Sequence, residues 1–242
     1  GKPSPRRQGT ENGGLARRAG QRRTGGMNEA AVKAIYVGMP APLSANGKTV
    51  LTGIVKKAVS GPVRLGPSHF EGDGQADSKL HGGEEKAAYA YPEANVQAWA
   101  QELGTDPAGL HFGENLRVTG LGDDDVCIGE RFGIGEAVVE VTQPRLPCAK
   151  LGMLMGDPEF PARFLTAVRP GFYLRIVEPG VMRAGDVIAR LSKPDHDITV
   201  ARLVRLITHE RDDRRGAAQA LERLEWLDAG WRRRLRQLAE AP

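Results

Sequence analysis

The sequence holds few cysteines, few aromatic residues and no long apolar run. Cys127 and Cys148 are its only cysteines, which argues against a disulfide-stapled secreted scaffold and predicts a reducing, cytoplasmic location. No stretch approaches the roughly 18 uninterrupted apolar residues of a transmembrane helix, and the polar start does not resemble a secretory signal. We therefore expect no membrane partner. The 40% apolar content of the 242 residues still predicts a globular chain with a sizeable core.

Several common site motifs are also missing. No GxGxxG follows a strand and no GxxxxGK[ST] is present, which argues against Rossmann and P-loop nucleotide sites. The absence of a CxxC pair and of HExxH disfavours a zinc site. Asp123, Asp124 and Asp125 form an acidic run whose spacing fits no calcium loop, so we expect a solvated turn.

Positive charge is concentrated at the start of the chain. Residues 1–26 contain seven Lys and Arg against one Glu, which is 7 − 1 = +6, and this leaves 4 − 6 = −2 for the rest. The segment is glycine-rich and almost free of apolar residues, so it cannot bury enough surface to offset its ordering entropy. We expect a disordered basic leader over residues 1–26. A nucleic-acid-binding arm is the alternative.

Residues 27–194 are punctuated by glycine and proline and contain many short apolar segments. AVKAIYVG predicts a first strand, GIVKKAV and PVRLG predict a hairpin through Ser60-Gly61, and VCIGERFGIGEAVVEVTQ predicts a second hairpin. Short strands with frequent turns favour a barrel or sandwich over a βαβ sheet. We expect Cys127, between two apolar residues of one strand, to be a core residue.

Helices are predicted where the apolar period changes from two to 3.6. The residues between Pro92 and Gly104 carry an apolar stripe with helical spacing. Residues 195–242 predict three short amphipathic helices, which we expect to form a small C-terminal domain. Their arginines are interleaved with acidic residues, which favours a solvated face over a nucleic-acid patch. The predicted fold class is therefore α+β, mainly β.

Four polar clusters interrupt the strands: EGDGQAD, HGGEEKAAYAYP, FGENL and TQPRLPCAK. Together they offer glycine backbone N–H groups, cations, an amide and the Cys148 thiol on a proline-flanked loop. This inventory suits an anionic, phosphate-bearing ligand and a soft metal that binds sulfur. Taken alone, Cys148 is better explained as an inert thiol than as a reactive one, and His81 is better explained as a hydrogen-bonded structural histidine than as a ligand.

The order of these clusters closely resembles the MOSC domain, named for the C-terminal domain of molybdenum cofactor sulfurase. The helical extension is similar to the YiiM-like branch of that family. The resemblance covers the chain from about Ala31 onward. It implies a β-barrel that binds the molybdenum cofactor, a molybdopterin with a terminal phosphate.

The resemblance also implies roles for individual residues. The family cysteine corresponds to Cys148, which would supply a thiolate to molybdenum and act in catalysis. Asp73 and His81 would be catalytic by relaying protons. Cofactor binding is expected of Gly82, Gly83, Lys86, Asn115, Arg145 and Lys150.

The implied activity is reduction of N-hydroxylated compounds, such as hydroxylaminopurines and amidoximes, by a molybdenum-cofactor-dependent oxidoreductase that serves in detoxification. Because the sequence has no flavin or nicotinamide motif, electrons must come from a separate reductase. The alternative is a module that carries the cofactor or transfers sulfur through a Cys148 persulfide. Nucleic acid is not an expected partner, and a homodimer remains open.

Overall fold

The computed structural model describes Gly1, residues 29–76 and residues 83–241. The described strands are β1 (Ala31–Val37), β2 (Ala41–Ala45), β3 (Lys48–Thr52), β4 (Lys57–Ala58), β5 (Val63–Leu65), β6 (Ala88–Pro92), β7 (Leu116–Thr119), β8 (Arg131–Ile134), β9 (Ala137–Pro144), β10 (Phe172–Glu178), β11 (Gly180–Met182) and β12 (Ile188–Ser192). The described helices are α1 (Glu93–Leu103), α2 (Ala149–Met155), α3 (Phe160–Thr166), α4 (Val200–Thr208), α5 (Arg214–Arg223) and α6 (Ala229–Ala239). This mixture confirms the predicted α+β class.

Eight strands form one curved sheet in the order β12-β8-β9-β10-β6-β7-β1-β4. Its pairs are antiparallel except for β6 and β7, which run parallel and are connected through α1. A parallel pair needs such a crossover, whereas antiparallel neighbours can be joined by a tight turn. Two smaller sheets pair β2 with β3 and β5 with β11.

The expectation of a closed β-barrel is wrong, because the large sheet is open. Across the described residues, the two sides of the opening are joined by an isolated bridge between Ala31 and Val187 and by neighbouring backbone hydrogen bonds, such as that from the Ile188 N–H to the Ala30 carbonyl at 2.7 Å. Beyond Ile188, β12 is paired with β8 alone, so no continuous ladder forms between β1 and β12. A closed barrel requires an unbroken ladder around the axis.

One of the two predicted hairpins is confirmed and the other is wrong. β8 and β9 pair directly through a turn at Gly135, whose φ of 58° lies in the left-handed region. The segments on either side of Ser60-Gly61 do not pair with each other. β4 pairs with β1 and β5 pairs with β11, because the buried Leu65 needs a partner inside the core.

The apolar side chains form two clusters. The larger one fills the concave face of the sheet, and the smaller one is largely aromatic and lies among α1, α2 and α3. The predicted α1 stripe is confirmed, since Val96, Trp99 and Ala100 are buried in the smaller cluster. The helix ends at Gly104 in the left-handed conformation, as its sequence predicts.

The three C-terminal helices each begin at a capping side chain. Thr199, Asp213 and Asp228 accept a backbone N–H from the first turn of α4, α5 and α6 respectively. Trp231 and other buried residues of these helices belong to the same cluster as the sheet. The boundary at residue 195 stays a prediction. Within the described ranges, every helix is too short or too polar to cross a membrane.

Candidate functional site

A pocket opens where the four polar clusters meet. Six of the nine predicted site residues line it: Asp73, Lys86, Asn115, Arg145, Cys148 and Lys150. They come from segments far apart in the sequence, which the sheet brings to one end of the fold. The cluster order therefore predicted a real meeting point of side chains.

Of the other three predicted residues, only Gly83 is among those that the structure describes, and it does not line the pocket. Gly83 is exposed with a φ of 96°, and its N–H donates to Oε1 of Gln75 at 3.0 Å. Gln75 itself lines the pocket, so Gly83 contacts a pocket-lining side chain without lining the pocket itself. His81 and Gly82 lie outside the described residues.

Cys148 is the first residue before α2, a helix that the sequence did not predict. The cysteine is half-buried, has no disulfide partner and contributes its backbone carbonyl to the N–H of Leu151 at 2.9 Å. Its side chain caps nothing in the helix. The thiol is therefore held at a fixed point of the pocket and is free to bind a ligand.

Arg145 anchors the Cys148 loop on the aromatic cluster. Its guanidinium donates to the carbonyl of Phe112 and lies 4.9 Å from the ring centroid of Tyr89. Burial alone lowers the pKa of Arg145, but interactions led by Tyr89 and Tyr173 outweigh it and raise the pKa. The charge of Arg145 is thus permanent, and its donors serve the loop as well as the pocket.

Asp73 is tied into a buried network that the sequence did not reveal. Its carboxylate forms an ion pair with Lys56 and accepts the N–H of Gly38 at 2.8 Å. The Nδ2 of Asn115 donates to the same carboxylate at 2.9 Å. Lys56 also lines the pocket and is the first site residue that sequence reasoning missed.

The Asn115 amide holds three other segments in place. Besides Asp73, its Nδ2 donates to the carbonyl of Tyr36 at 3.2 Å, and its Oδ1 accepts the N–H of Tyr89 at 3.1 Å. These contacts use most of its hydrogen-bonding capacity. Contact between Asn115 and a pterin edge stays a prediction, while its bracing of the pocket wall is observed.

Lys86 connects the pocket to the last helix. Its Nζ lies 2.8 Å from Oδ2 of Asp228 and 5.9 Å from the ring centroid of Tyr173. Asp228 also accepts from Nε2 of Gln143 at 3.1 Å. Asp228 is the second missed residue, because nothing in the local sequence marks a helix cap as the partner of a distant lysine.

The pocket is strongly cationic. Its described lining holds four cations and one carboxylate, which is 4 − 1 = +3: Lys56, Lys86, Arg145 and Lys150 against Asp73. The low-dielectric walls strengthen this field. An anionic ligand is therefore favoured.

The acidic run is a turn, as predicted, and Asp124 and Asp125 are exposed, but Asp123 is buried. Asp123 accepts from Nδ2 of Asn95 at 2.6 Å and from the N–H of Gly171 at 2.9 Å. Burial raises the pKa of Asp123 to about 6. No group of acidic, histidine and cysteine residues in the described part of the chain is arranged to hold a metal ion.

Cys127 is a core residue, as predicted. It is 1% exposed and forms an isolated bridge with Thr199. Burial raises the pKa of its thiol. The two cysteines thus differ in surroundings, and only Cys148 faces the pocket.

Fold and site together define a mixed α/β protein with a cationic pocket that presents a thiol. A sequence model of the MOSC domain matches residues 77–189. YflK of Bacillus subtilis is 38% identical over 179 residues, which cover 74% of this chain and 81% of YflK. The crystal structure of YiiM from Geobacillus stearothermophilus superposes with a TM-score of 0.69 at 30% identity, covering 87% of this chain and 99% of that one. The chain belongs to the MOSC domain family.

One further relative carries an activity in its name. A protein from Gibberella moniliformis named reductase is 33% identical over 166 residues. The match covers 66% of this chain and 29% of that protein.

Proposed function

We propose that this protein binds the molybdenum cofactor in the cationic pocket and reduces N-hydroxylated compounds, with electrons from a separate reductase. One observation carries the proposal: the half-buried Cys148 thiol lies in a pocket whose described lining has a charge of +3. Membership of the MOSC domain family and the reductase name of one relative support the same class of activity.

The pocket residues fit this cofactor chemically. A thiolate suits a metal that binds sulfur ligands, and Cys148 is the only pocket-lining thiol among the described residues. Lys86 and Lys150 would hold the phosphate, since a lysine ammonium binds phosphate as a point charge. Arg145 adds positive field while its loop orients Cys148. When bound, the cofactor supplies a two-electron redox centre, which no side chain provides.

The chain's own residues would position the substrate and supply protons. Reducing R–NHOH to R–NH₂ and water consumes two electrons and two protons. We expected a relay through Asp73 and His81. The carboxylate of Asp73 is engaged by Lys56, Asn115 and the Gly38 N–H, so its described contacts are those of a residue that orients the pocket wall. The relay role stays a prediction, tested by turnover of Asp73→Asn.

The proposal is tested with protein made in a host that synthesises the cofactor. We expect molybdenum near one atom per chain and reduction of benzamidoxime or 6-hydroxylaminopurine by reduced methyl viologen. Cys148→Ser is expected to lose both. A labile sulfur on Cys148 in molybdenum-free protein would overturn the proposal and establish the sulfur-carrier alternative.

A further inference from the structure

The last helix carries an arginine-rich face. Residues 229–239 contain four arginines and no acidic residue, and the first acidic residue after the helix is the exposed Glu240. Arg233 and Arg236 are exposed, lie one turn apart and form the α6 arginine face, whereas Arg234 lies about 100° further around the helix and donates to the carbonyl of Gly230 at 3.3 Å. Arg232 is half-buried and donates to the carbonyls of Leu224 and Glu225 instead.

The other helices of this segment neutralise most of their arginines. Arg202 pairs with Glu210 and Asp213. Arg205 pairs with Asp124, and Arg223 with Asp195. Over the described residues, no member of the α6 arginine face has such an ion pair. The alternation of arginines with acidic residues, which predicted a solvated face for these helices, is therefore absent within α6.

The beginning of α6 is part of the pocket's support. Asp228, directly before the helix, holds Lys86, and the indole N–H of Trp231 donates to the carbonyl of Pro144 at 3.2 Å. Arg233 follows Asp228 by five residues, which is about 7.5 Å along a helix axis. The α6 arginine face therefore begins within two turns of a contact with the pocket wall.

Resting on the proposed function, we propose that the α6 arginine face docks the acidic surface of the electron-donating protein. Each N–O bond that is cleaved needs two electrons, and a reduced flavin or iron–sulfur centre of that partner supplies them and is itself oxidised. Two protons from the solvent complete the products, one on the amine nitrogen and one on the oxygen that leaves as a single water molecule. A donor held here lies next to the helix that supports the pocket. Complementary charge of this kind accelerates the encounter of transient partners.

A nucleic acid fits this face less well. Single-stranded nucleic acids are bound by basic grooves combined with aromatic side chains that stack on bases. The tryptophan of α6, Trp231, is fully buried in the core. Arg233 to Arg236 span only about 4.5 Å of the helix axis, which suits a compact protein contact. An acidic protein is therefore the partner to which we commit.

The test compares a protein donor with a small-molecule donor on the full-length holoprotein. The variant is Arg233→Glu/Arg236→Glu, and the probes are reduced methyl viologen, an acidic [2Fe–2S] ferredoxin and an acidic flavodoxin. With viologen we expect an unchanged kcat. With at least one protein donor we expect a KM for the donor at least tenfold higher than that of the wild type. Added salt should raise the KM of the wild type more than that of the variant.

Lys48→Glu/Arg64→Glu is the matched control, because it changes the net charge equally at two exposed cations, on β3 and β5, that do not line the pocket. We expect its donor KM to stay within threefold of the wild type. Equal donor KM values for the α6 variant and the wild type would overturn the docking proposal. Loss of viologen activity in the α6 variant would also overturn it. The same holds if the wild type accepts electrons from viologen but from neither protein donor. A variant that loses only the binding of an oligonucleotide would likewise contradict the proposal. A wild type inactive with viologen would instead refute the proposed function.

Discussion

The carboxylate of Asp228 lies 2.8 Å from the ammonium nitrogen of Lys86, although the two residues are 228 − 86 = 142 positions apart. The same carboxylate accepts the backbone N–H of Trp231 at 2.9 Å. One side chain therefore starts the last helix and holds a cation of the pocket wall. The C-terminal helices support the site directly.

Asp228→Ala is expected to weaken both the helix and the pocket. Loss of the cap lowers the free energy of unfolding by about 1 kcal/mol. Loss of the contact with Lys86 should also lower the molybdenum content at least threefold, because a contact that positions the lysine beside the pocket is removed. The control is Asp213→Ala, which removes the cap of α5 away from the pocket lining. Equal molybdenum loss in both variants, measured beside urea unfolding, would contradict this role.

The two cysteines are expected to respond in opposite ways to replacement by serine. Cys148→Ser should leave the free energy of unfolding within about 0.5 kcal/mol, because the side chain is half-buried and serine is a good helix cap. Its molybdenum should be lost. Cys127→Ser buries a hydroxyl without a partner and should cost about 1–3 kcal/mol, with molybdenum retained. Metal analysis and denaturant unfolding of both variants check this pair.

Asp73→Ala is expected to be strongly destabilising. It leaves the ammonium of Lys56 without its carboxylate in surroundings where the lysine side chain is only 9% exposed. Breaking a buried pair on one side costs about 3–5 kcal/mol. Lys33→Met removes an exposed partner of Glu93 and should cost less than about 1 kcal/mol. A loss below about 1 kcal/mol for Asp73→Ala, measured by urea unfolding, would show that the pair is dispensable.

Asp123 is expected to make the protein less stable as the pH rises from about 4 to 6. Burial raises the pKa of Asp123 from 3.8 to about 6. In this window the unfolded chain loses the proton while the native state keeps it, so the free energy of unfolding falls with pH. Above the native pKa the loss is complete, on the order of 3 kcal/mol. Asp123→Asn should flatten this part of the stability profile. An unchanged slope in unfolding measured at intervals of half a pH unit would contradict the assignment.

Local sequence patterns were sufficient to predict the helices and strands whose own residues show a clear apolar period, turn or cap. The β8–β9 hairpin, α1 and the three C-terminal helices follow from apolar period, turn residues and caps. The order of the polar clusters was sufficient to predict that Cys148 and Lys86 line one pocket. These features depend on neighbouring residues or on the order of polar clusters along the chain.

The features that were missed depend on contacts across the fold. Gly152 weakens the helical signal of α2, yet a Cβ at this position would lie 3.0 Å from the Asp157 carbonyl, so glycine permits the close packing there. Asp123 seemed solvated because its burial results from Asn95 on a different element. The opening of the sheet depends on which edge β12 pairs with, and no local pattern records that choice.

The contact between Asp228 and Lys86 also has a consequence for the order of events during protein synthesis. At roughly 5–20 residues per second, a ribosome adds Asp228 about 7–28 s after Lys86. Cys148 is added during this interval, 148 − 86 = 62 residues after Lys86, and the last strand of the large sheet ends at Ser192, 228 − 192 = 36 residues before Asp228. The sheet and the Cys148 loop are therefore complete in the nascent chain before the contact between Asp228 and Lys86 can form.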